Sequence, residues 1–185
     1  MPESSPEGSR TQPPGELRIR RLDPADAADY REIRLAALKG DPDSFGSTYA
    51  AEAARPMSEF AERLTTSVVF AAYEGGRVVG IAGFKQHQGS RERHKAFVWG
   101  TYVLPSARRR GVARSLMAAL LAAAGEVVEQ LTLCVVKDNR GAIALYRELG
   151  FAVYGVEPRA LKRSGSYDDE LLMVRVLVNA TSTAG

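Results

Sequence analysis

One short segment constrains the chain more than any other: Val103-Leu-Pro-Ser-Ala-Arg-Arg-Arg-Gly-Val-Ala113, continuing as Arg-Ser-Leu-Met-Ala-Ala-Leu120. It follows a β-rich run, about Lys95 to Leu104, that Pro105 brings to an end. It leads into an amphipathic helix carrying Leu116 and Leu120, predicted over about Gly111 to Ala124. A strand, a short basic loop and a helix therefore meet here. A helix N-terminus exposes unpaired N–H groups and a positive dipole end, which together suit an anion. Gly111 lets the backbone approach a ligand closely, and Ala113 keeps the next turn free of bulk. Arg108, Arg109 and Arg110 add charge suited to a pyrophosphate. Arginines in a loop can equally form a solvated basic turn. The segment is not a Walker A loop, because no Gly-Lys-Ser/Thr follows the glycine. With one glycine it is not the Gly-x-Gly-x-x-Gly dinucleotide fingerprint either.

The rest of the chain supplies a sheet for this loop. Leu17 and Ile19 alternate with Arg18 and Arg20, the period-two pattern of a half-buried strand. Asp23 then Pro24 opens a helix that runs to Gly40 with Tyr30, Ile33, Arg34, Ala37 and Leu38 at helical spacing. Asp41 to Thr48 reads as loop, and a shorter helix from about Ser58 to Leu64 buries Phe60 and Leu64. Two β-rich runs, Ser67–Glu74 and Arg77–Phe84, flank Gly75-Gly76 as a hairpin. A polar stretch, Gln86 to Arg93, precedes the Lys95 strand. After the central helix come a strand (Leu131 to Val136) and a helix (Arg140 to Leu149) capped by Gly150. Phe151 opens the next strand, and a last one covers Leu171 to Val178. The predicted order is β-α-α-β-β-β-α-β-α-β-β, an α/β domain whose mixed sheet combines antiparallel hairpins with parallel crossovers.

Length and composition limit what this domain can be. At 185 residues with 45% hydrophobic and 25% charged residues, the chain holds one globular domain, not a collagenous, disulfide-scaffold or wholly disordered polymer. Residues 1–16 and 179–185 are poor in apolar side chains and read as tails, leaving 17–178 as the domain. The Met1–Gly15 tail is expected to be dispensable. The longest apolar run, Leu116 to Ala124, is too short for a membrane span, and the N-terminus lacks the apolar core of a secretory signal. A single cysteine, Cys134, cannot form an internal disulfide, which fits a reducing cytoplasm. A net charge of +3 is weak evidence for nucleic-acid binding, and neither a stacking platform nor a reader motif accompanies it.

Two motifs together resemble the GNAT N-acetyltransferase superfamily. Its central motif, Arg/Gln-x-x-Gly-x-Gly/Ala at a helix start after a strand ending in Val-x-Pro, is matched in register by Arg108-Arg-Arg-Gly111-Val-Ala113 after Val103-Leu-Pro105. A second, an Asn followed by a helix with Ala, Leu-Tyr and Gly-Phe, is matched by Asn139, Ala142, Leu145-Tyr146 and Gly150-Phe151. The closing Tyr167-Asp-Asp-Glu-Leu-Leu-Met173 is similar to the end of the same fold. The resemblance covers roughly residues 17–178.

It implies an acyltransferase that moves acetyl from acetyl-CoA, with no metal, to the amine of a small molecule or protein in a ternary complex. The amides of Arg109, Arg110, Gly111, Val112 and Ala113 would cradle the pyrophosphate, with Arg108 beside them. The strand equivalent to Thr101, Tyr102 and Val103 would splay from its neighbour and bond the pantetheine arm. An N–H near Val103 would stabilise the oxyanion. Asn139 would contact the cofactor arm. Tyr146 would be the general acid for the departing thiolate, since a phenol and a thiol have pKa values close enough for proton transfer. Acceptor pockets in this family are built by the first helices and the last hairpin, here Asp41 to Met57 and Glu157 to Glu170.

The general base stays open, because many family members use a Glu on the strand Lys95–Val103 and none stands there. His87, His94, Glu92, Asp168, Asp169, Glu170, a water relay and an amine that arrives unprotonated are the alternatives. Cys134 reads as structural rather than nucleophilic, and Trp99 either walls the acceptor pocket or fills the core. No nucleic acid and no membrane is expected as partner, and a homodimer is one open arrangement. The competing reading is a non-catalytic acyl-CoA-binding or regulatory module of the same fold.

Overall fold

The computed structural model describes residues 15–163 and 165–177. The expected tails at 1–16 and 179–185 thus lie almost wholly outside the described residues, as does Val178. Gly15 is already half-buried, close against Gly75 of the first hairpin, so chain contacts begin two residues before Leu17.

The described strands form one seven-stranded sheet in the order β1-β2-β3-β4-β5-β7-β6. They are β1 Arg18–Arg21, β2 Val68–Glu74, β3 Arg77–Gln86, β4 Lys95–Val103, β5 Gln130–Val136, β6 Ala152–Arg163 and β7 Ser166–Val176. All neighbours pair antiparallel except β4 and β5. Those two are joined through helix α4, Val112–Gly125, whose Ala, Leu and Met content favours helix. Its Leu116, Met117 and Leu120 are fully buried under one face of the sheet, beside Leu131, Leu133 and Met173. Each such side chain contributes about 1.5–3 kcal/mol. Helix α5, Arg140–Glu148, covers the same face further along.

The opposite face is covered only in part. Helix α1, Ala27–Gly40, and helix α3, Met57–Thr66, lay Tyr30, Ile33, Phe60 and Leu64 over Ile81 and Tyr102. Between them runs a short helix, α2, Tyr49–Ala53, that the sequence reading does not contain. Thr48 caps it locally, its Oγ1 accepting from the Ala51 N–H at 3.3 Å, but its main anchor is tertiary. The buried Glu52 carboxylate accepts from Arg63 at 2.7 Å and lies 3.7 Å from buried Arg34. The last strand also differs: it begins at Ser166, not Leu171, because Tyr167–Glu170 pair with β6 through backbone bonds without an apolar alternation to announce them.

Candidate active site

The site starts where β4 and β5 part. Their parallel pairing is confined to Lys95–Phe97 against Gln130–Thr132. Beyond it the β5-facing backbone groups of β4 have no partner on β5. A register shift against β3 between Ile81 and Gly83 adds to the bend, with Gly100 at φ +68 supplying the left-handed residue a bulge here requires. The gap is a cleft of about 100 Å³. Trp99 and Thr101 line it from β4, Cys134 from β5, Asn139 and Tyr146 from the β5–α5 segment, and Ser44 and Phe45 from the loop after α1. Trp99 both walls the cleft and packs edge-on to Tyr30, 6.3 Å between ring centroids, so it fills the two roles its position left open.

At the C-terminal end of β4 lies a second cavity, of about 280 Å³, formed by the basic loop, the first turn of α4 and α5. Arg109 at φ +57 and Gly111 at φ +80 turn this loop so that α4 starts without a side-chain cap. Its first amides are left unbonded within the helix, which is the arrangement that receives an anion. Gly141 and Leu145 close the opposite wall. A Cβ built at Gly141 meets nothing within 4 Å, so the glycine leaves room that a side chain would fill. Helix α5 connects the two cavities, with Asn139, Ala142 and Tyr146 on the cleft and Gly141 and Leu145 on the anion side. These residues fit a long molecule with a pyrophosphate at one end and a thin arm threading between strands.

The arginines divide their work. The Arg108 Nε donates to the Val103 carbonyl at 2.9 Å and its guanidinium lies over the Tyr102 ring, so it braces the end of β4. Arg110 forms a two-pronged pair with Glu74, at 2.6 and 3.0 Å. Among the described residues no ion pair involves Arg109, which lines the second cavity. Arg114, which the sequence reading omitted, also lines the cavity while pairing with Glu148. Asn139 is engaged too: its Oδ1 accepts from the Ala142 N–H at 3.1 Å, capping α5, and its Nδ2 donates to Ser44 Oγ at 3.4 Å across the cleft.

The Tyr146 phenol is buried, edge-on to Phe151, and burial pushes its pKa up, with Thr101 partly offsetting the shift. It therefore stays protonated at neutral pH. Burial, with help from Glu170 and Glu157, pushes the Cys134 thiol up to about 11, so it is a neutral wall of the cleft rather than a nucleophile. Glu170 itself is pushed up by burial and by Glu157, its cross-strand partner.

The sequence matches the Acetyltransferase (GNAT) family over residues 33–151, well over half its length. This chain belongs to the GNAT acetyltransferase family. It is 33% identical to a mycothiol acetyltransferase from Nocardioides over 147 residues, 73% of this chain and 49% of that protein. The chain thus spans about half the length of this curated relative. Its fold is that of an acetyltransferase of the GNAT family from Streptococcus pneumoniae, with a TM-score of 0.77 at 23% identity over 88% of this chain and all of the other. A putative acetyltransferase from Salmonella typhimurium, solved with its cofactor acetyl-CoA, superimposes with a TM-score of 0.75 at 21% identity over 92% and 99% of the two chains.

Within this GNAT domain the alternatives for a base separate clearly. His87 lines a different groove, with Lys95 and Thr132. The His94 carbonyl is bonded to Glu129 and Gln130 N–H groups at the far end of β5. Glu92 pairs with Lys95, Asp168 with Arg163, and Asp169 accepts from the Arg159 N–H and lies 3.8 Å from Lys137. Glu170 pairs in register with Val136, a residue of the cleft, and acts on Cys134. Among the described residues no group of three or more metal-binding side chains comes together, and no helix is long and apolar enough to cross a membrane.

Proposed function

We propose that this chain transfers an acetyl group from acetyl-CoA to an amine by direct attack in a ternary complex. The divergence of β4 and β5 carries this reading, since it opens one path from the uncapped start of α4 to the Tyr146 phenol. The pyrophosphate lies on the amides of Arg109–Ala113, and the arm follows Thr101–Val103. The thioester then sits among Trp99, Cys134 and Tyr146. Attack by the neutral amine on the thioester carbonyl forms the C–N bond. The unpaired N–H groups of β4 stabilise the oxyanion as it develops. Collapse breaks the C–S bond, and Tyr146 gives its proton to the sulfur. A raised phenol pKa does not defeat this step, because a thiolate held in the same dry cleft is penalised by the same desolvation. Glu170 takes the proton that the amine nitrogen loses as the C–N bond forms, and a raised carboxyl pKa makes it the better base.

The acceptor enters between the loop after α1 and the β6–β7 hairpin, where Phe45, Leu161 and Asp168 meet around a further cavity. A single half-buried thiol suits a reducing cytoplasm. The test is thiol release from acetyl-CoA against a panel of amines. Amine-dependent release supports the reading. Tight acetyl-CoA binding with no release for any amine points instead to a non-catalytic acyl-CoA-binding module.

A further inference from the structure

We infer that the acceptor is a primary monoamine whose apolar body lies along the uncovered face of β5, β7 and β6, with its ammonium at Glu170 and Glu157. This rests on the amine-acetylation reading and names the substrate class for that same site.

The strand registers carry the inference. Helices α1 and α3 cover one face of the sheet only as far as β4, where Trp99 and Tyr102 pack beneath them. On the strands beyond, pairing places Thr132 and Cys134 of β5 on that same face, beside Val174 and Leu172 of β7. The row along β7 continues to Glu170, which faces Glu157 of β6. No described helix covers these side chains. At the irregularity in β6 between Val153 and Gly155, Tyr154 turns to this side and is 60% exposed. With Thr132, Val174, Gln130, His87 and Lys95 it lines an open groove of about 530 Å³. Phe97, which pairs with Thr132, is 36% exposed beside it. Large exposed apolar side chains grouped on an uncovered sheet face mark a binding surface.

Along this uncovered face the groove lies at one end and the two glutamates at the other, and that difference in charge selects the occupant. At the cleft end Glu170 and Glu157 oppose each other, a repulsive arrangement that a cation relieves. Their field reaches Cys134, which lines the acetyl-transfer cleft, so an ammonium there is next to the thioester. At the other end stands Lys95, partnered by Glu92 at 3.3 Å. Glu170 and Val176 are six positions apart along β7, roughly 20 Å at strand spacing. A monoamine places its charge on the carboxylates and its hydrocarbon over Val174, Phe97 and Tyr154. A diamine long enough to follow the groove brings its second ammonium toward Lys95, and a carboxylate next to the amine meets Glu170 and Glu157.

The experiment uses linear alkylamines from ethylamine to dodecylamine, whose basicity is nearly constant, with 1,12-diaminododecane and glycine for comparison. Thiol release gives kcat/KM, and fluorescence of Trp99, the only tryptophan of the chain, reports binding independently of turnover. We expect kcat/KM to rise about fourfold per CH2 until the groove is filled. Dodecylamine should exceed both its diamine and glycine. In a Phe97→Ser, Tyr154→Ser double variant, with melting temperature as the folding control, the dodecylamine-to-ethylamine ratio should fall toward one. A length-independent series, or preference for the diamine or the amino acid, overturns the inference. So does sedimentation showing a dimer that the double variant dissociates, since the face would then be an interface between copies. If no amine releases thiol, length-dependent Trp99 quenching that the double variant loses still supports the groove and counts against acetyl transfer. Quenching without length dependence overturns the groove.

Discussion

Cys134 and Glu170 share a face of the sheet and owe their chemistry to the same scarcity of water. With its pKa at about 11, the Cys134 thiol carries about a hundredfold less thiolate near pH 8 than an ordinary cysteine. Its alkylation by iodoacetamide should be slower by at least that factor, as timed mass spectrometry would show, and labelling at the rate of free cysteine would contradict the assignment. Glu170 makes a sharper prediction because its two effects have opposite signs. Its folded carboxyl binds a proton more readily than an unfolded one, so its charge destabilises the fold at neutral pH, and this penalty disappears as pH falls through the raised value. Glu170→Gln should therefore equal or exceed the wild-type melting temperature at pH 7, with the difference closing in acid. Turnover should nevertheless drop by about 10²–10⁴-fold, the worth of a positioned base. A variant that is both less stable and fully active would remove Glu170 from the mechanism.

Two elements position the cleft, and each can be tested apart from the chemistry. The first turn of α5 forms the far wall of the anion cavity, and Gly141 is where that wall can be raised without strain. Its φ is not in the left-handed region, and a Cβ there touches nothing. Gly141→Leu should keep or improve stability, since glycine within a helix costs about 0.5–1 kcal/mol relative to alanine. It should weaken acetyl-CoA binding at least tenfold by calorimetry, and unchanged affinity would mean that the cofactor does not pass between α4 and α5. Gly111 is a poorer probe, because at φ +80 any side chain strains the backbone as well. Helix α2 is the second element, held by Glu52 against Arg34 and Arg63. Burial alone would raise the Glu52 carboxyl, but these cations hold it below the usual range. Its contribution is thus present above the unfolded value and lost as pH falls through the folded one. Glu52→Ala leaves buried Arg34 uncompensated and should cost about 3–5 kcal/mol in chemical denaturation at pH 7. A loss below 1 kcal/mol would show that α2 does not depend on this network.

Over the whole molecule, what could be read in advance followed local chemistry, and what could not depended on long-range partners. The Gly75-Gly76 turn was legible because both residues adopt positive φ, as such a hairpin demands. Gly111 and Gly150, at φ +80 and +84, were legible as a helix start and a helix stop for the same reason. Helix α2 was not, since five residues carry little periodicity and its anchor, Glu52, meets arginines 18 and 11 residues away. The basic loop was legible as a turn into a helix start, yet the partners of Arg108 and Arg110 come from β4 and β2 and left no local trace. Gly141 did carry a signal, a glycine inside a helix with no capping duty. The groove beyond Glu170 had none, because it appears only once the register of β6 against β7 is known.

The central claim is that the β4–β5 cleft performs acetyl transfer with Tyr146 as its acid, and the most direct measurement is turnover of Tyr146→Phe at saturating acetyl-CoA and amine. Phenylalanine keeps the edge-on contact with Phe151 and removes only the hydroxyl. The expected result is a fall in kcat of about 10²–10⁴-fold. The KM for acetyl-CoA should change little, because the proton is needed only as the C–S bond breaks. Unchanged kcat, with the chemical step shown to limit the rate, would reduce Tyr146 to a packing residue and contradict the account.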